Sequence, residues 1–334
     1  MNKWILMLLA SLLFGASACN NDINTNADYK EIMIVYGLLN VNDTGNISHY
    51  VRVNRAFLTE NQSALDVAKV LDTSYFNAIE VKIDEFDGSG QYKTTYILKQ
   101  DRSVAKDSGI FASEPNVVFS FKANLNADYT YKLTVTDTVT GKVAKAQTLL
   151  VHDPTLGSPS SITTKYLIDT AKNLVLVWTG GKNSKVHDLT MRFYWNEYDM
   201  GTNQLLASDL YVDWPMVQDK DISVSGTVRS NISGGNFYTF LAGKIPVKQG
   251  VYRQAQKIDF IYWAADEQLD LYRKVNQPGV GIVQKKPEYT NISNGNYGLF
   301  ASRNRYTIEG VSISDKTVDF LQISSQTRNL NFRP

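Results

Sequence analysis

The chain after about residue 31 is built from short stretches in which hydrophobic and polar residues alternate. In the first stretch Ile32, Ile34 and Tyr36 occupy every second position, which is the period of a β-strand with one buried face. Similar stretches follow at residues 50–55, 79–86, 92–99, 117–123, 129–136 and 142–151. Turns rich in Asp, Asn and Gly separate them. This spacing predicts an immunoglobulin-like β-sandwich over residues 31–151.

A turn-rich break with two prolines and a glycine at residues 152–159 predicts a domain boundary. Residues 160–334 again read mostly as strands, at 173–178, 188–198, 209–214, 222–228, 237–244 and 255–263. One helix is predicted over residues 266–276, because apolar side chains recur on one face and acidic residues precede basic ones. The predicted fold class is therefore mostly β: an N-terminal immunoglobulin-like β-sandwich followed by a second β-rich domain with one short helix.

The first residues of the chain have the pattern of an export signal. Lys3 precedes an apolar run that ends in small residues before Cys19, and the run is shorter than the roughly 20 residues of a membrane-spanning helix. With alanines one and three positions before the cysteine, the run resembles a bacterial lipobox, in which the cysteine is acylated and the chain is cut just before it. We predict a signal peptide at residues 1–18, lipidation of Cys19 and a polar tether at residues 19–30. An ordinary secretory peptide cut near the same alanines is the alternative.

Composition and charge narrow the choice of partners and cofactors. Basic and acidic residues number 34 and 33 and are mixed along the chain, which argues against a nucleic-acid partner. Cys19 is the single cysteine, so once lipidated it leaves none for disulfides, redox chemistry or cysteine metal sites. We expect attachment to a membrane through the lipid, and neither a cofactor nor a metal.

Candidate catalytic chemistry is sparse. His49, His152 and His187 share no metal-ligand spacing, and we interpret each as a surface or loop histidine. The sequence contains no serine-nucleophile elbow, zinc-protease, P-loop or dinucleotide motif, so we predict that the protein is not an enzyme. The alternative is a carboxylate-dependent glycan-active enzyme that uses Glu197 and Asp199, two residues apart on one face of a predicted strand.

Aromatic residues are the remaining signal for a binding function, at 11% of the chain with 19 tyrosines. On the strand at residues 188–198, Tyr194 and Tyr198 share one face, and Trp214 adds a further ring from a neighbouring strand. Flat rings beside amides and carboxylates are suited to holding sugars. We therefore name Tyr194, Tyr198 and Trp214 as candidate ligand-binding residues, with packing in a β-sheet core as the alternative.

A short internal repeat adds two asparagines to the candidates. Residues 231–240 and 291–300 are identical at six of ten positions. One interpretation is a duplicated ligand loop in which the amides of Asn231 and Asn291 bind a polar ligand. The interpretation we favour is a glycine-bearing turn that enters an aromatic-rich strand and is used twice.

The second copy of this repeat, together with the helix before it, resembles the C-terminal signature of a family of uncharacterised Bacteroidota lipoproteins. In that signature an Asn-Ile segment, here Asn291-Ile292, and a glycine-rich turn lead into a strand like Gly298-Leu299-Phe300. Gly37-Leu38-Leu39 and Val51-Arg52-Val53 are similar to the family's N-terminal half.

Such families are often found beside outer-membrane TonB-dependent receptors. The resemblance therefore implies a lipid-anchored outer-membrane accessory protein in nutrient capture, which docks on such a transporter and presents a glycan or peptide. It supplies no catalytic residues. Whether the protein lies on the cell surface or on the periplasmic face stays open.

Overall fold

A computed structural model describes residues 31–56, 66, 70, 74–106, 116–222, 226–277 and 288–334. The predicted signal peptide, Cys19 and the tether up to residue 30 lie outside these residues. Within the described part, no helix combines the length and the apolarity needed to cross a bilayer.

The first half of the described chain consists of strands at nearly the predicted positions. They are β1 (Met33–Asn40), β2 (His49–Arg55), β3 (Ile79–Phe86), β4 (Tyr92–Ile97), β5 (Lys99–Asp101), β6 (Val118–Phe121), β7 (Thr130–Asp137) and β8 (Val143–Leu149). Strands β4, β3, β7 and β8 form one antiparallel sheet, and β1, β2, β6 and β5 lie in another. Alternate side chains of both sheets enter one hydrophobic core, for example Val35 and Val51 from one and Ile83 and Leu133 from the other. The predicted β-sandwich is confirmed at this level, and its immunoglobulin-like type stays a prediction.

The second half contains nine more strands and three α-helices among its described residues. In chain order they are β9 (Thr155–Ser158), β10 (Lys165–Tyr166), β11 (Asn173–Thr179), β12 (Val186–Asp199), β13 (Leu205–Asp221), β14 (Thr227–Ser233), α1 (Gly235–Lys244), β15 (Val251–Ala265), α2 (Glu267–Asn276), β16 (Tyr297–Ile313), α3 (Asp315–Ile323), a 3-10 turn (Arg328–Leu330) and β17 (Phe332–Arg333). The mostly β fold class is confirmed, but there are three helices where we predicted one.

One long sheet crosses the predicted domain boundary. Its strand order is β13-β12-β15-β16-β1-β2-β6-β5, with β10 beside β16 and β17 beside β15. A separate small sheet of β14, β11 and β9 packs with α1 against the second hydrophobic core. The buried residues of the first core come from before the break at 152–159, except Ile292 and Phe300. Those of the second core all come from after the break, and Leu156 within the break packs against them. The break therefore separates two cores that share one sheet.

The predicted helix is confirmed as α2. Asp266 is its N-cap, and the carboxylate accepts a hydrogen bond from the backbone N–H of Leu269 at 2.8 Å. This bond satisfies one of the N–H groups that a helix start leaves unpaired. Acidic residues in the first turn and basic residues in the last turn agree with the helix dipole.

The two copies of the internal repeat adopt different structures, so our prediction that both enter a strand is wrong for the first. Residues 235–244 form helix α1, which buries Phe237, Tyr238 and Leu241. The Tyr238 hydroxyl donates to the carbonyl oxygen of Ile168 at 2.6 Å. In the second copy the same positions begin β16. Tertiary contacts beyond the shared ten residues therefore decide the local structure.

The parallel pairing of β1 with β16 depends on Gly298. Its φ of +120° lies in a region that other residues rarely adopt, and a Cβ atom there would lie 1.9 Å from the Val35 carbonyl oxygen. Val35 and Gly298 are register partners, and Val35 is fully buried. Only glycine lets the two backbones approach this closely.

We expect Gly298→Ala to lower the free energy of unfolding by more than about 3 kcal/mol, because the added methyl group would push β16 away from β1. Gly243→Ala, in helix α1, is the matched control: a Cβ there meets nothing within 4 Å, so we expect a neutral change or a gain of up to about 1 kcal/mol. Urea unfolding of both variants checks this. Equal stability of the two would contradict the importance of the close approach.

Candidate functional site

The four longest strands of the long sheet present an exposed surface rich in rings and cations. Along β12, residues such as Met191 and Phe193 are buried, whereas Arg192 and Tyr194 between them are partly exposed. The aligned strands β13, β15 and β16 place further side chains on the same side. We call this surface the outer face, formed by Arg192, Tyr194, Tyr198, Tyr211, Lys257, Trp263, Arg303 and Arg305.

Cations hold the aromatic rings of the outer face in place. The guanidinium of Arg192 lies 4.1 Å from the centre of the Tyr211 ring, and the ammonium of Lys257 lies 4.7 Å from that of Tyr194. Arg192 also donates two hydrogen bonds to the Asp213 carboxylate, at 2.7 and 2.9 Å. Such contacts orient the rings without burying them.

Tyr198 belongs to a second cluster farther along β12. Its ring stacks on that of Tyr252 with centres 5.1 Å apart and an interplanar angle of 12°. The guanidinium of Arg333 lies 4.6 Å from the centre of the Tyr252 ring. Tyr194 and Tyr198 thus lie on one side of the sheet, as the alternation along the strand predicts.

Trp214 does not belong to this surface, and our interpretation of it as an exposed ring is wrong. It is only 6% exposed and packs against Phe237 and Phe240, with ring centres 5.6 and 6.3 Å away. Its register partner on β12 is Met191, which is buried in the same core. The reason is the alternation of side chains along β13. Tyr211 and Asp213 face outward, so Trp214 faces inward.

The two candidate asparagines are not brought together. Asn231 is exposed on β14 of the small sheet, opposite Val175. Asn291 uses both ends of its amide on one residue: it donates to the Phe300 carbonyl at 2.7 Å and accepts from the Phe300 N–H at 2.9 Å. That amide completes the entry into β16 and has a structural role.

The paired carboxylates have separate structural partners. Glu197 is 4% exposed; burial raises its pKa, but hydrogen bonds from Lys248 and Arg253 outweigh burial and hold the pKa below the ordinary value. Asp199 lies at an exposed turn and accepts hydrogen bonds from the backbone and hydroxyl of Thr202 and from the backbone of Gly201, which lower its pKa.

Arg253 connects Glu197 to the C-terminal segment. It is fully buried and donates to Glu197 Oε1 through Nε at 3.0 Å and Nη2 at 2.8 Å. It also donates to the carbonyl oxygens of Leu330 at 2.7 Å and Pro246 at 2.8 Å. Four of the five N–H donors of the guanidinium are therefore used, and a buried charge needs such partners.

Two of the three histidines are buried, so our interpretation of them as surface or loop residues is wrong for His49 and His187. Each is 2% exposed, and each lies on a strand. Burial lowers the pKa of His187 to about 4, which keeps the ring neutral, and its Nδ1 accepts from the Trp178 indole at 3.4 Å. The described residues contain no group of His, Cys, Asp or Glu arranged to hold a metal ion.

A cavity of about 410 Å³ lies where β8 meets the start of α2, and Asp266 and Thr148 line it. Besides capping the helix, Asp266 accepts from the Ser302 N–H at 2.8 Å and from the Thr148 hydroxyl at 3.2 Å. Burial nevertheless raises the pKa of Asp266 to about 6. A buried carboxyl group with a raised pKa in a cavity is a feature of functional sites, and also of structural networks such as this one.

Sequence reasoning missed Tyr211, Lys257 and the two arginines of β16. The signal that could have found them is strand length: β12, β13, β15 and β16 have 14 to 17 residues each. Side chains alternate between the two sides of a sheet along each strand. Once Tyr194 is known to face outward, this alternation along such long strands would identify most of the other outer-face residues.

Comparison with known proteins gives no family for this chain. No family model matches it, and no curated protein matches it significantly. Trypsin-activated alpha-2-macroglobulin from Escherichia coli is 9% identical with a TM-score of 0.18, and the match covers 71% of this chain and 14% of that one. CBD12 from CALX1.2 is 8% identical with a TM-score of 0.15, and the match covers 82% of this chain and 100% of that one. Likenesses this weak carry no argument, and the chain spans only a small part of the first protein.

The raised pKa of Asp266 predicts a pH-dependent stability. Because the pKa is about 6 in the folded protein and 3.8 as the ordinary value, the folded state binds more protons between these pH values. The contribution of the Asp266 carboxyl group to the free energy of unfolding therefore falls by roughly 2 to 3 kcal/mol as pH rises from about 4 to about 6.

Urea unfolding of the natural chain and Asp266→Asn between pH 4 and 7 measures this contribution, since the amide does not titrate. We expect the stability of the natural chain, relative to the variant, to decrease across this range. A relative stability that increases with pH would show that the three hydrogen bonds outweigh burial.

The buried pair of Arg253 and Glu197 predicts a second difference in stability. Removing one partner with Arg253→Met or Glu197→Gln should cost about 3 to 5 kcal/mol, because the other charged or polar group stays buried. The double variant should cost clearly less than the sum of the two single changes. As a control, Arg192→Met removes the exposed pair with Asp213 and should cost less than about 1 kcal/mol. Additive effects of the two buried changes would contradict direct coupling.

Proposed function

We propose that the protein is a non-enzymatic binding protein of the bacterial cell envelope, anchored to the outer membrane by acylated Cys19. In this role it assists an outer-membrane nutrient transporter of the TonB-dependent class by docking on it or by presenting a glycan or peptide ligand. The observation that carries the binding function is the outer face, where exposed rings are held by cations on four long, hydrogen-bonded strands.

Rigid, partly exposed aromatic side chains support this proposal. Rings with few rotatable bonds lose little conformational entropy on binding and provide large contact areas. Tyr211 is 52% exposed, and neighbouring Tyr194 lies with its ring centre 5.8 Å away. The pair is flanked by Arg192 and Lys257 and offers both a flat surface and charged hydrogen-bond donors.

The sequence supports membrane attachment, and the surroundings of the two carboxylates argue against catalysis. Residues 1–19 have the pattern of a lipoprotein signal, and the polar residues after Cys19 are suited to a tether. A glycan-active enzyme that uses Glu197 and Asp199 is not favoured, because buried Arg253 and exposed Lys248 engage the first carboxylate and the second one caps a turn.

We expect the native protein, extracted from gently solubilised outer membranes, to carry a stoichiometric transporter. Affinity capture followed by mass spectrometry measures this, with Cys19→Ala as the unlipidated control. The control should leave the membrane fraction and lose the transporter. Recovery of the native protein in the soluble fraction would contradict lipid anchoring.

The outer face is tested in the same capture with Tyr194→Ser combined with Tyr211→Ser. If these rings form the contact, recovery of the partner should fall at least roughly fivefold, as is typical of losing central aromatic contacts. Tyr92→Ser is the matched control, because Tyr92 is 57% exposed on β4 of the other sheet. Equal recovery with both variants would contradict a role of the outer face in docking.

A further inference from the structure

A second cavity opens on the outer side of the long sheet beside helix α2. Its volume is about 360 Å³, and Trp263 and Leu269 give it an apolar lining. Asp188, Arg273 and Arg303 add charged groups. A concave apolar surface with a few polar groups is the usual form of a small-molecule site.

Two arginines of β16 flank Trp263: Arg303 lines the cavity, whereas Arg305 contacts the ring from outside the cavity lining. The guanidinium groups of Arg303 and Arg305 lie 5.5 and 5.6 Å from the centre of the Trp263 ring. Both side chains are exposed, and neither has an ion-pair partner among the residues that the structure describes. They differ in this from Arg192, which pairs with Asp213, and from Arg273, which pairs with Asp219.

Contact with the indole ring orients both guanidinium groups, and within the described ranges of the chain no acceptor bonds to their N–H donors. A planar guanidinium recognises a carboxylate by two parallel hydrogen bonds. Two of them beside one ring therefore form a prepared site for an anionic group.

Asp188 gives the other side of the cavity a different chemistry. Its Oδ1 accepts a hydrogen bond from the backbone N–H of Asp219 at 2.7 Å, which leaves the second oxygen able to accept from a ligand. A carboxylate acceptor suits hydroxyl groups and repels a second anionic group. The cavity therefore matches a molecule with an anionic group at one end and hydroxyl groups at the other.

From this arrangement we infer that Trp263, Arg303, Arg305 and Asp188 form a binding site for an acidic sugar, such as a uronic acid unit of a glycan. The arginines bind the sugar carboxylate, and Asp188 accepts hydrogen bonds from hydroxyl groups. The inference rests on the proposed binding function, since it names the class of ligand for the same side of the sheet.

Galacturonate and galactose test the site, because they differ only in the carboxylate. Of the four described tryptophans, Trp178, Trp195 and Trp214 are at most 6% exposed, so an added ligand should change chiefly the fluorescence of Trp263. We expect saturable binding of galacturonate by the full chain in non-ionic detergent, and binding of galactose at least tenfold weaker. The indole resonance of Trp263, assigned with Trp263→Phe, gives an independent readout.

The combined change Arg303→Gln and Arg305→Gln should weaken galacturonate binding at least tenfold. Arg229→Gln should leave it unchanged, because Arg229 is exposed on β14 of the small sheet. Fluorescence quenching gives a measurement that needs no sugar. Because the two arginines beside Trp263 attract anions, iodide should quench its fluorescence more than caesium cations do, and the double change should remove this difference. A melting curve checks that each variant is folded.

Several results would overturn the inference: no binding of galacturonate, equal binding of galactose, full binding by the double variant, or inorganic sulfate bound as tightly as the sugar acid. These results are distinguishable from failure of the proposed function. If the protein binds galacturonate but is neither anchored to the membrane nor recovered with the transporter, only the proposed function is contradicted. If it is anchored and recovered with the transporter but does not bind galacturonate, only this site is contradicted.

Discussion

The fold depends on how closely β1 approaches β16. This parallel pair joins strands from the two ends of the chain into one sheet, and the contact is possible only because position 298 has no side chain. Gly37, on the same strand β1, lies under the ring of Phe300, where a Cβ would come within 3.0 Å. Phe300 is buried in the first core, so a residue of β16 completes the N-terminal sandwich.

Polar side chains connect the two halves beside this strand pair. The Ser302 hydroxyl accepts from the Val151 N–H at 2.9 Å, and the Asn304 amide donates to the Val151 carbonyl at 3.1 Å. Asp266, the N-cap of helix α2, accepts further bonds from Ser302 and Thr148. Directed bonds of this kind fix the position of one half on the other, which hydrophobic contact alone does not do. The outer face and the cavity beside α2 rest on this fixed arrangement.

Local pattern was enough to predict most of the strands and helix α2, since alternation and capping are read from neighbouring residues. It was not enough for α1, whose residues repeat those at the start of β16; burial of Phe237 and Leu241 decides its structure. Trp214 was wrongly predicted to be exposed, because the alternation along β13 was not considered. Tyr211 and Asp213 face outward on that strand, so Trp214 next to Asp213 faces inward. The close approach at Gly298, and the lack of an ion-pair partner for Arg303 and Arg305 among the described residues, became evident only when the strand partners were known, because pairing across the sheet is not local.

The pairing of β1 with β16 also sets the order in which the chain can fold. The N–H of Met33 donates to the side chain of Asn296, 263 residues later, and the next residues of β1 pair with β16, so this pairing must wait until β16 has been made. Contacts of such long range slow folding, and an open strand edge invites pairing with other chains. During synthesis, the N-terminal half therefore has an exposed strand edge and an incomplete core until β16 is available. A chain shortened before Tyr297 would lose more than its end, because the first strand would stay without its neighbour.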